Sequence, residues 1–203
     1  MSDWMALKIA IDLLHVPSQV RLVRSEPLPD GVETLLRIAA GDGTAEQTAA
    51  EFTGRSHETV RRAATFFIEQ ILFAPDADSY RALGADSQAS AGELRRNMAL
   101  LLRWLHPDLD PKRERSIFSG RVTAAWNNLK TSERRMAYDD LQRRSGRRSK
   151  ASQAGSGSRA RSKQSGNGAL HRDRIRTLAG IRGVEEVGFL RRALSVLLHR
   201  PLR

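Results

Sequence analysis

The chain has 203 residues, 40% of them hydrophobic and 5% aromatic, so its composition predicts one or two small domains with part of the chain outside any core. It contains no cysteine, which excludes disulfides, thiol catalysis and cysteine-ligated zinc. Residues 1–142 hold 18 Lys and Arg against 20 Asp and Glu, whereas residues 143–203 hold 16 against 3. The net charge of +11 therefore belongs to the C-terminal part, which favours contact with a polyanion there.

Enzyme and membrane signals are missing from the sequence. The five histidines are scattered, and no HExxH, GxSxG, P-loop or GxGxxG motif occurs. We therefore predict no enzymatic activity, no metal site and no cofactor. There is no signal-peptide pattern after Met1 and no apolar run of the roughly 20 residues that span a bilayer. With the absence of cysteine, this favours a cytoplasmic location.

Residues 1–76 have the pattern of a small bundle of three or four helices. Apolar residues recur at helical spacing over about 4–14, 32–39, 44–52 and 57–72. Asp30, Thr44 and Ser56 are candidate N-caps. Residues 44–69 also resemble a helix-turn-helix, whose recognition helix would present Arg61 and Arg62 to DNA. However, residues 1–77 hold 7 basic and 11 acidic residues, which disfavours DNA as the ligand.

Residues 77–142 contain a second set of helical patterns. A short helix is expected near 79–83, a longer one over 91–105 with Ser90 as N-cap, a third around 118–129 and a fourth over 133–141. On the second of these, apolar residues recur at positions i, i+4, i+7 and i+11, which predicts a buried face. These residues are Leu94, Met98, Leu101 and Leu105.

The tripeptide His106-Pro107-Asp108 ends the second of these helices. Proline fixes the backbone just past the helix, so the two polar side chains are held at the start of an exposed loop. The carboxylate of Asp108 is suited to bind an arginine of a partner in a bidentate manner. A tripeptide of this kind is weak evidence when it stands alone, because a solvated helix stop has the same sequence.

The surrounding residues make a specific resemblance. Asp78, Tyr80, Leu83 and Gly84 form a D-x-Y-x-x-L-G opening, and His106 follows Asp78 by 28 residues. Further matches are Ala125-Trp126 with Leu129, and Tyr138-Asp139 after two arginines. In this order and register, residues 78–142 resemble the J-domain of DnaJ-type co-chaperones. We refer to residues 77–142 as the J-like segment.

The resemblance implies an all-α fold in which the second and third helices of the J-like segment form an antiparallel hairpin. It implies stimulation of ATP hydrolysis by a DnaK-class chaperone through His106, Pro107 and Asp108, with Arg95, Arg96 and Arg103 as docking residues. The residues that it implies for the core are Tyr80, Leu83, Leu94, Met98, Leu101, Leu105, Ala125, Trp126, Leu129 and Tyr138. The N-terminal helices would then recruit an unknown client protein.

The sequence departs from the family pattern in several places. Ala99 and Leu100 stand where the family often has basic residues, and we expect Arg103 and the neighbouring Trp104 to substitute for them in part as partner contacts. No Gly/Phe-rich linker and no cysteine-rich zinc module follows the segment. The chain therefore resembles a class C J-domain protein.

The C-terminal part is predicted to form a basic disordered linker over 143–170 and a basic segment over 171–203. From Gly146 to Ala169 there is no Leu, Ile, Val, Phe, Trp or Tyr, which disfavours a packed structure. Residues 188–198 have the pattern of a short amphipathic helix. Three roles stay open for this part: a solubilising tether, contact with nucleic acid or the ribosome, and contact with an anionic membrane surface, which would make the protein peripheral to a membrane. An adaptor acting through this basic tail, without chaperone stimulation, is the alternative function.

Overall fold

The computed structural model describes residues 4–109 and 114–156, which form nine α-helices and no strand. The all-α prediction is therefore confirmed for these residues. The helices are α1 Met5–His15, α2 Val20–Ser25, α3 Val32–Ala39, α4 Gly43–Thr53, α5 His57–Phe67, α6 Ser79–Ala82, α7 Ala91–Trp104, α8 Ser119–Leu129 and α9 Ser132–Ser156. None of the described helices combines the length and the apolar character needed to cross a membrane.

The chain divides by its contacts into two compact units, Met1–Tyr138 and Asp139–Arg203. In the first unit, α5 is the central helix of the N-terminal part, because α1, α3 and α4 all pack against it. The apolar residues that recur at helical spacing over 57–72 are buried along α5 and through the turn that follows it. Its members are Val60, Ala63, Phe67, Ile68, Ile71 and Leu72.

The end of α5 departs from α-helical geometry. Residues Ile68–Leu72 form a π-helical turn, and the N–H of Phe73 donates to the carbonyl of Ile68 at 3.1 Å. Such a turn carries one more residue than an α-helical turn and is often found at functional sites. Phe73 follows this turn directly, and its ring stacks with those of Trp104 and Phe118 in the J-like segment.

Two N-caps agree with the sequence and two do not. Ser56 and Ser90 cap α5 and α7 with their side-chain oxygens, as predicted. The prediction of Asp30 for α3 is wrong, because Gly31 at φ 88° occupies the cap position without a side-chain hydrogen bond. The cap of α4 is Asp42 rather than Thr44, because the Asp42 carboxylate accepts from two backbone N–H groups of the first turn.

The J-like segment packs on the N-terminal helices. Helix α7 contacts both α3 and α8, and α8 contacts α6. At the α3 contact, a β-carbon added to Gly84 would lie 2.9 Å from Val32 Cγ1 and 3.3 Å from Leu36 Cδ1. The two parts of the first unit thus share apolar contacts.

Helix α9 is longer than predicted. The sequence predicts an end near residue 141, but the helix continues to Ser156, so residues 143–156 are helical rather than a disordered linker. Arg, Lys, Gln and Ala are common in this stretch and favour helix. Arg143 also pairs with Asp140 one turn earlier. The rest of the predicted linker, the segment 171–203 and the amphipathic pattern at 188–198 lie outside the described residues.

Candidate functional site

The loop that begins at His106 starts in a hydrogen-bonded turn. The N–H of Leu105 donates to the carbonyl of Leu101 at 3.0 Å, and the N–H of His106 donates to that of Arg103 at 3.0 Å. The N–H of Leu109 then donates to the carbonyl of His106 at 2.9 Å. The tripeptide is therefore held by backbone bonds on both sides.

Within this turn the side chains of His106 and Asp108 are neighbours. His106 Nδ1 lies 3.3 Å from Asp108 Oδ2 and 3.3 Å from the backbone N of Asp108. A neutral imidazole with a bare Nδ1 accepts from that N–H, and an imidazolium donates to the carboxylate. The Asp108 side chain is 85% exposed against 35% for His106. The Asp108 carboxylate is therefore accessible to a donor from a partner while one of its oxygens lies beside the His106 ring.

The three predicted docking arginines are exposed on α7. Arg96 Nε lies 3.8 Å from Glu33 Oε1 of α3, with side-chain exposures of 59% and 46%. A pair this exposed contributes about 0–1 kcal/mol, so a partner carboxylate can compete for Arg96. Arg95 and Arg103 complete a basic face that turns away from the buried side of α7.

The D-x-Y-x-x-L-G residues each have a local structural task. Asp78 caps α6, because its Oδ1 accepts from the N–H of Arg81 at 2.8 Å. Tyr80 and Leu83 are buried. Gly84 follows the helix with φ 63°, in the left-handed region that favours glycine.

The start of α9 is tied to α6 through two tyrosines. The hydroxyl of Tyr138 accepts from the N–H of Ser79 at 2.8 Å, and the rings of Tyr80 and Tyr138 meet edge to face. Arg135 Nε donates to the hydroxyl of Tyr80 at 2.9 Å. Residues matched at the two ends of the J-like segment are thus in direct contact.

The predicted core residues of the J-like segment divide into two groups by burial. The buried ones are Tyr80, Leu83, Leu94, Leu101, Ala125 and Leu129. The half-buried ones are Met98, Leu105, Trp126 and Tyr138.

Trp104 is placed differently from its suggested role as a partner contact. Its side chain is 0% exposed. Its ring stacks with those of Phe73 and Phe118, with centroids 6.0 Å away in each case. It therefore belongs to the core beneath the loop and offers nothing to a partner. Its spacing from Leu94 and Leu101 on one helix face is the signal that could have identified it.

The N-terminal helices contact the loop directly, and no local pattern in the sequence predicts this contact. A β-carbon added at Gly41 would lie 3.5 Å from Leu109 Cδ2. Arg115 Nη1 donates to the carbonyl of Leu109 at 3.1 Å, and Arg115 Nε lies 3.8 Å from Glu69 Oε1 in the π-helical turn. The guanidinium also lies 5.2 Å from the centroid of the Trp104 ring.

The turn at Gly41 is itself held by Asp42. A hydrogen bond from the N–H of Ala45, together with the guanidinium of Arg37 at 2.7 Å, lowers the pKa of Asp42 below its usual value. The ionised carboxylate thus caps α4 and fixes the turn against which Leu109 lies.

A buried carboxylate in the N-terminal helices bears on the helix-turn-helix alternative. Glu46 is 4% exposed, and Arg61 donates to both of its oxygens, with distances of 2.7 and 2.8 Å from Nη2. His57 Nδ1 is 3.2 Å away. Arg61 therefore has a structural partner inside the bundle, which reduces what α5 could offer to DNA.

Across residues 4–109 and 114–156, no group of three or more His, Asp or Glu side chains has the arrangement of a metal site. Comparison of the chain with protein-family models, with curated proteins and with solved structures found no match. The resemblance to a J-domain therefore depends on the motif residues and their register.

Proposed function

We propose that this protein is a J-domain co-chaperone that stimulates ATP hydrolysis by a DnaK-class chaperone. The observation that carries the proposal is the exposed Asp108 carboxylate beside His106, in a turn at the end of a helix with an exposed basic face. The protein would act on its partner's chemistry and perform none itself.

Two contacts of the J-like segment support this proposal. An antiparallel hairpin of α7 and α8 requires the end of the first helix to lie beside the start of the second, and Trp104 and Phe118 stack at that position. A four-helix J-domain also requires its last helix to return to its first, and the bond from Ser79 to Tyr138 joins them.

The proposed mechanism has two electrostatic steps. The arginines of α7 would attract an acidic surface of the chaperone, which speeds association and makes it sensitive to salt. Asp108 would then accept hydrogen bonds from an arginine of the chaperone. This contact accelerates hydrolysis only if it is stronger in the hydrolysing state, because a ligand shifts a two-state equilibrium by its difference in affinity.

The decisive experiment is single-turnover ATP hydrolysis by the host's DnaK with wild type, Asp108→Asn and His106→Gln. We expect wild type to stimulate hydrolysis and both variants to lose most of the effect. Asp12→Asn is the matched control, since Asp12 is an exposed aspartate on α1, far along the chain from the loop. Equal stimulation by wild type and the two loop variants, or none by wild type, would reject the co-chaperone function.

A second experiment concerns the basic face. Replacing Arg95 and Arg96 together with Ala should weaken chaperone binding by roughly threefold to thirtyfold at low salt, with helicity unchanged, because rim charges mainly affect association. The double variant Arg55→Ala with Arg62→Ala removes the same charge from two exposed positions of the N-terminal part, one in the turn between α4 and α5 and one on α5. Equal affinities for the two double variants would show that the α7 face is only solvated surface.

A further inference from the structure

We propose that Arg115 is a positioning residue that holds the His106–Leu109 turn to the N-terminal helices. Its effect on the chaperone rests on the proposed function, whereas its effect on the turn does not. The N-terminal helices would then help to position the loop that contacts the chaperone, in addition to recruiting a client protein.

Arg115 makes contacts in three directions from the 3₁₀ turn before α8. Its Nη1 donates to the carbonyl of Leu109 at 3.1 Å, on the loop side. Its Nε lies 3.8 Å from Glu69 Oε1, on the side of the π-helical turn, and its guanidinium lies 5.2 Å from the Trp104 ring centroid, on the core side. Its side chain is 24% exposed. One planar group with several fixed donors thus joins the loop, the N-terminal helices and the shared core.

A second contact reaches the same turn independently of Arg115. The side chain of Leu109 lies against Gly41, in the turn between α3 and α4. That turn is closed by Asp42, which caps α4 and pairs with Arg37. Leu109 is therefore held by its carbonyl from one side and by its side chain from another.

Beneath these contacts, an aromatic cluster fixes the base of the turn. Phe73 follows the π-helical turn, and its ring centroid lies 4.8 Å from that of Phe118 and 6.0 Å from that of Trp104. Trp104 precedes His106 by two residues. The position of α7 at its loop end thus depends on a residue supplied by the N-terminal part.

These contacts have a consequence for binding. A turn that samples many conformations binds with an affinity reduced by the fraction of time it spends in the competent one. Holding Leu109 raises that fraction before the partner arrives. Arg115 should therefore change the concentration of protein needed for stimulation more than the maximal stimulation reached.

The test uses the full chain and the variant Arg115→Gln. We expect the ¹⁵N order parameters of Asp108 and Leu109 to fall from about 0.85 toward 0.6, values typical of rigid and flexible backbone. The half-maximal concentration for chaperone stimulation should rise roughly threefold to tenfold, the range supplied by one hydrogen bond. Arg115→Lys keeps the positive charge and N–H donors at one nitrogen but loses the planar spread of the guanidinium donors, so it should show a smaller loss of order.

Arg81→Gln is the matched control. Arg81 Nη1 donates to the carbonyl of Arg24 at 3.1 Å and Nη2 donates to that of Glu26, so it ties the J-like segment to the N-terminal helices through residues outside the loop and the aromatic cluster. Its removal should lower the midpoint of urea unfolding and leave the order parameters of Asp108 and Leu109 as in wild type.

The outcomes separate this proposal from the proposed function. Wild-type order in the turn of Arg115→Gln, or equal loosening by Arg115→Gln and Arg81→Gln, would overturn the positioning role even if the protein stimulates the chaperone. Loosening by Arg115→Gln alone supports the positioning role, and it does so even if wild type fails to stimulate.

Discussion

Replacing Gly84 with Ala tests whether the N-terminal helices and the J-like segment depend on each other for stability. Gly84 has φ 63°, and an added β-carbon would lie 2.9 Å from Val32 Cγ1 and 3.3 Å from Leu36 Cδ1. The left-handed backbone costs about 1–2 kcal/mol for a residue with a β-carbon. Overpacking adds about 1–3 kcal/mol. We therefore expect Gly84→Ala to lower the free energy of unfolding by about 2–5 kcal/mol.

Gly54 provides the control for the backbone part of this cost. It has the same φ of 63°, and no atom lies within 4 Å of its added β-carbon. Gly54→Ala should therefore cost only about 1–2 kcal/mol. Urea unfolding followed by circular dichroism gives both values under one condition, and the difference between them isolates the steric contact with α3.

A third variant locates the contact. Val32→Ala removes the methyl group nearest to the added β-carbon, so combining it with Gly84→Ala should cost less than the sum of the two single changes, with a coupling of about 0.5–3 kcal/mol. Equal losses for Gly84→Ala and Gly54→Ala, with additive double variants, would refute the shared contact between the two parts.

Two further predictions concern carboxylates of the N-terminal helices. Asp42→Ala should lower the free energy of unfolding by about 1 kcal/mol at pH 7. Because the pKa of Asp42 is lowered on folding, the stabilisation by its carboxylate is complete above the ordinary pKa of 3.8 and declines as the pH falls through the folded-state pKa. In urea unfolding, the difference in unfolding free energy between wild type and variant should therefore narrow toward pH 2, and a constant difference would contradict this. Glu46→Gln should lower the free energy of unfolding by about 1–3 kcal/mol, because it replaces charge-assisted hydrogen bonds from Arg61 at a buried position. As the control, Glu51→Gln on the exposed face of the same helix should change this free energy by less than about 0.5 kcal/mol. Equal effects of the two changes would show that the pair of Glu46 and Arg61 contributes nothing.

Local signals in the sequence predicted helix ends well where a side chain bonds to its own first turn. The predictions for Ser56 and Ser90 hold because each side-chain oxygen accepts a hydrogen bond from the backbone N–H three residues later. Asp30 failed because Gly31 next to it adopts a left-handed conformation and takes the cap position. For α4, Asp42 competed successfully with Thr44, since its carboxylate reaches two N–H groups.

Contacts between distant parts of the chain could not be predicted in this way. Arg115 and Glu69 are 46 residues apart, and nothing in either local sequence indicates the other. The same is true of Glu46 and Arg61, where the sequence suggested a DNA contact for the arginine. Trp104 is different, because its spacing on the apolar face of α7 predicts burial, whereas the frequency of tryptophan at protein interfaces favoured a partner contact.

The π-helical turn at Ile68–Leu72 has a consequence for how related chains should be compared with this one. Because the turn holds one residue more than an α-helical turn, deleting a residue there would rotate everything downstream by about 100° and shift it by about 1.5 Å. Phe73 would then no longer face Trp104 and Phe118. A chain that shares these helices but lacks the turn should therefore appear one residue shorter between Phe67 and Asp78. A one-residue gap at this place in an alignment would therefore indicate that the related chain does not join its N-terminal helices to the J-like segment through the same packing.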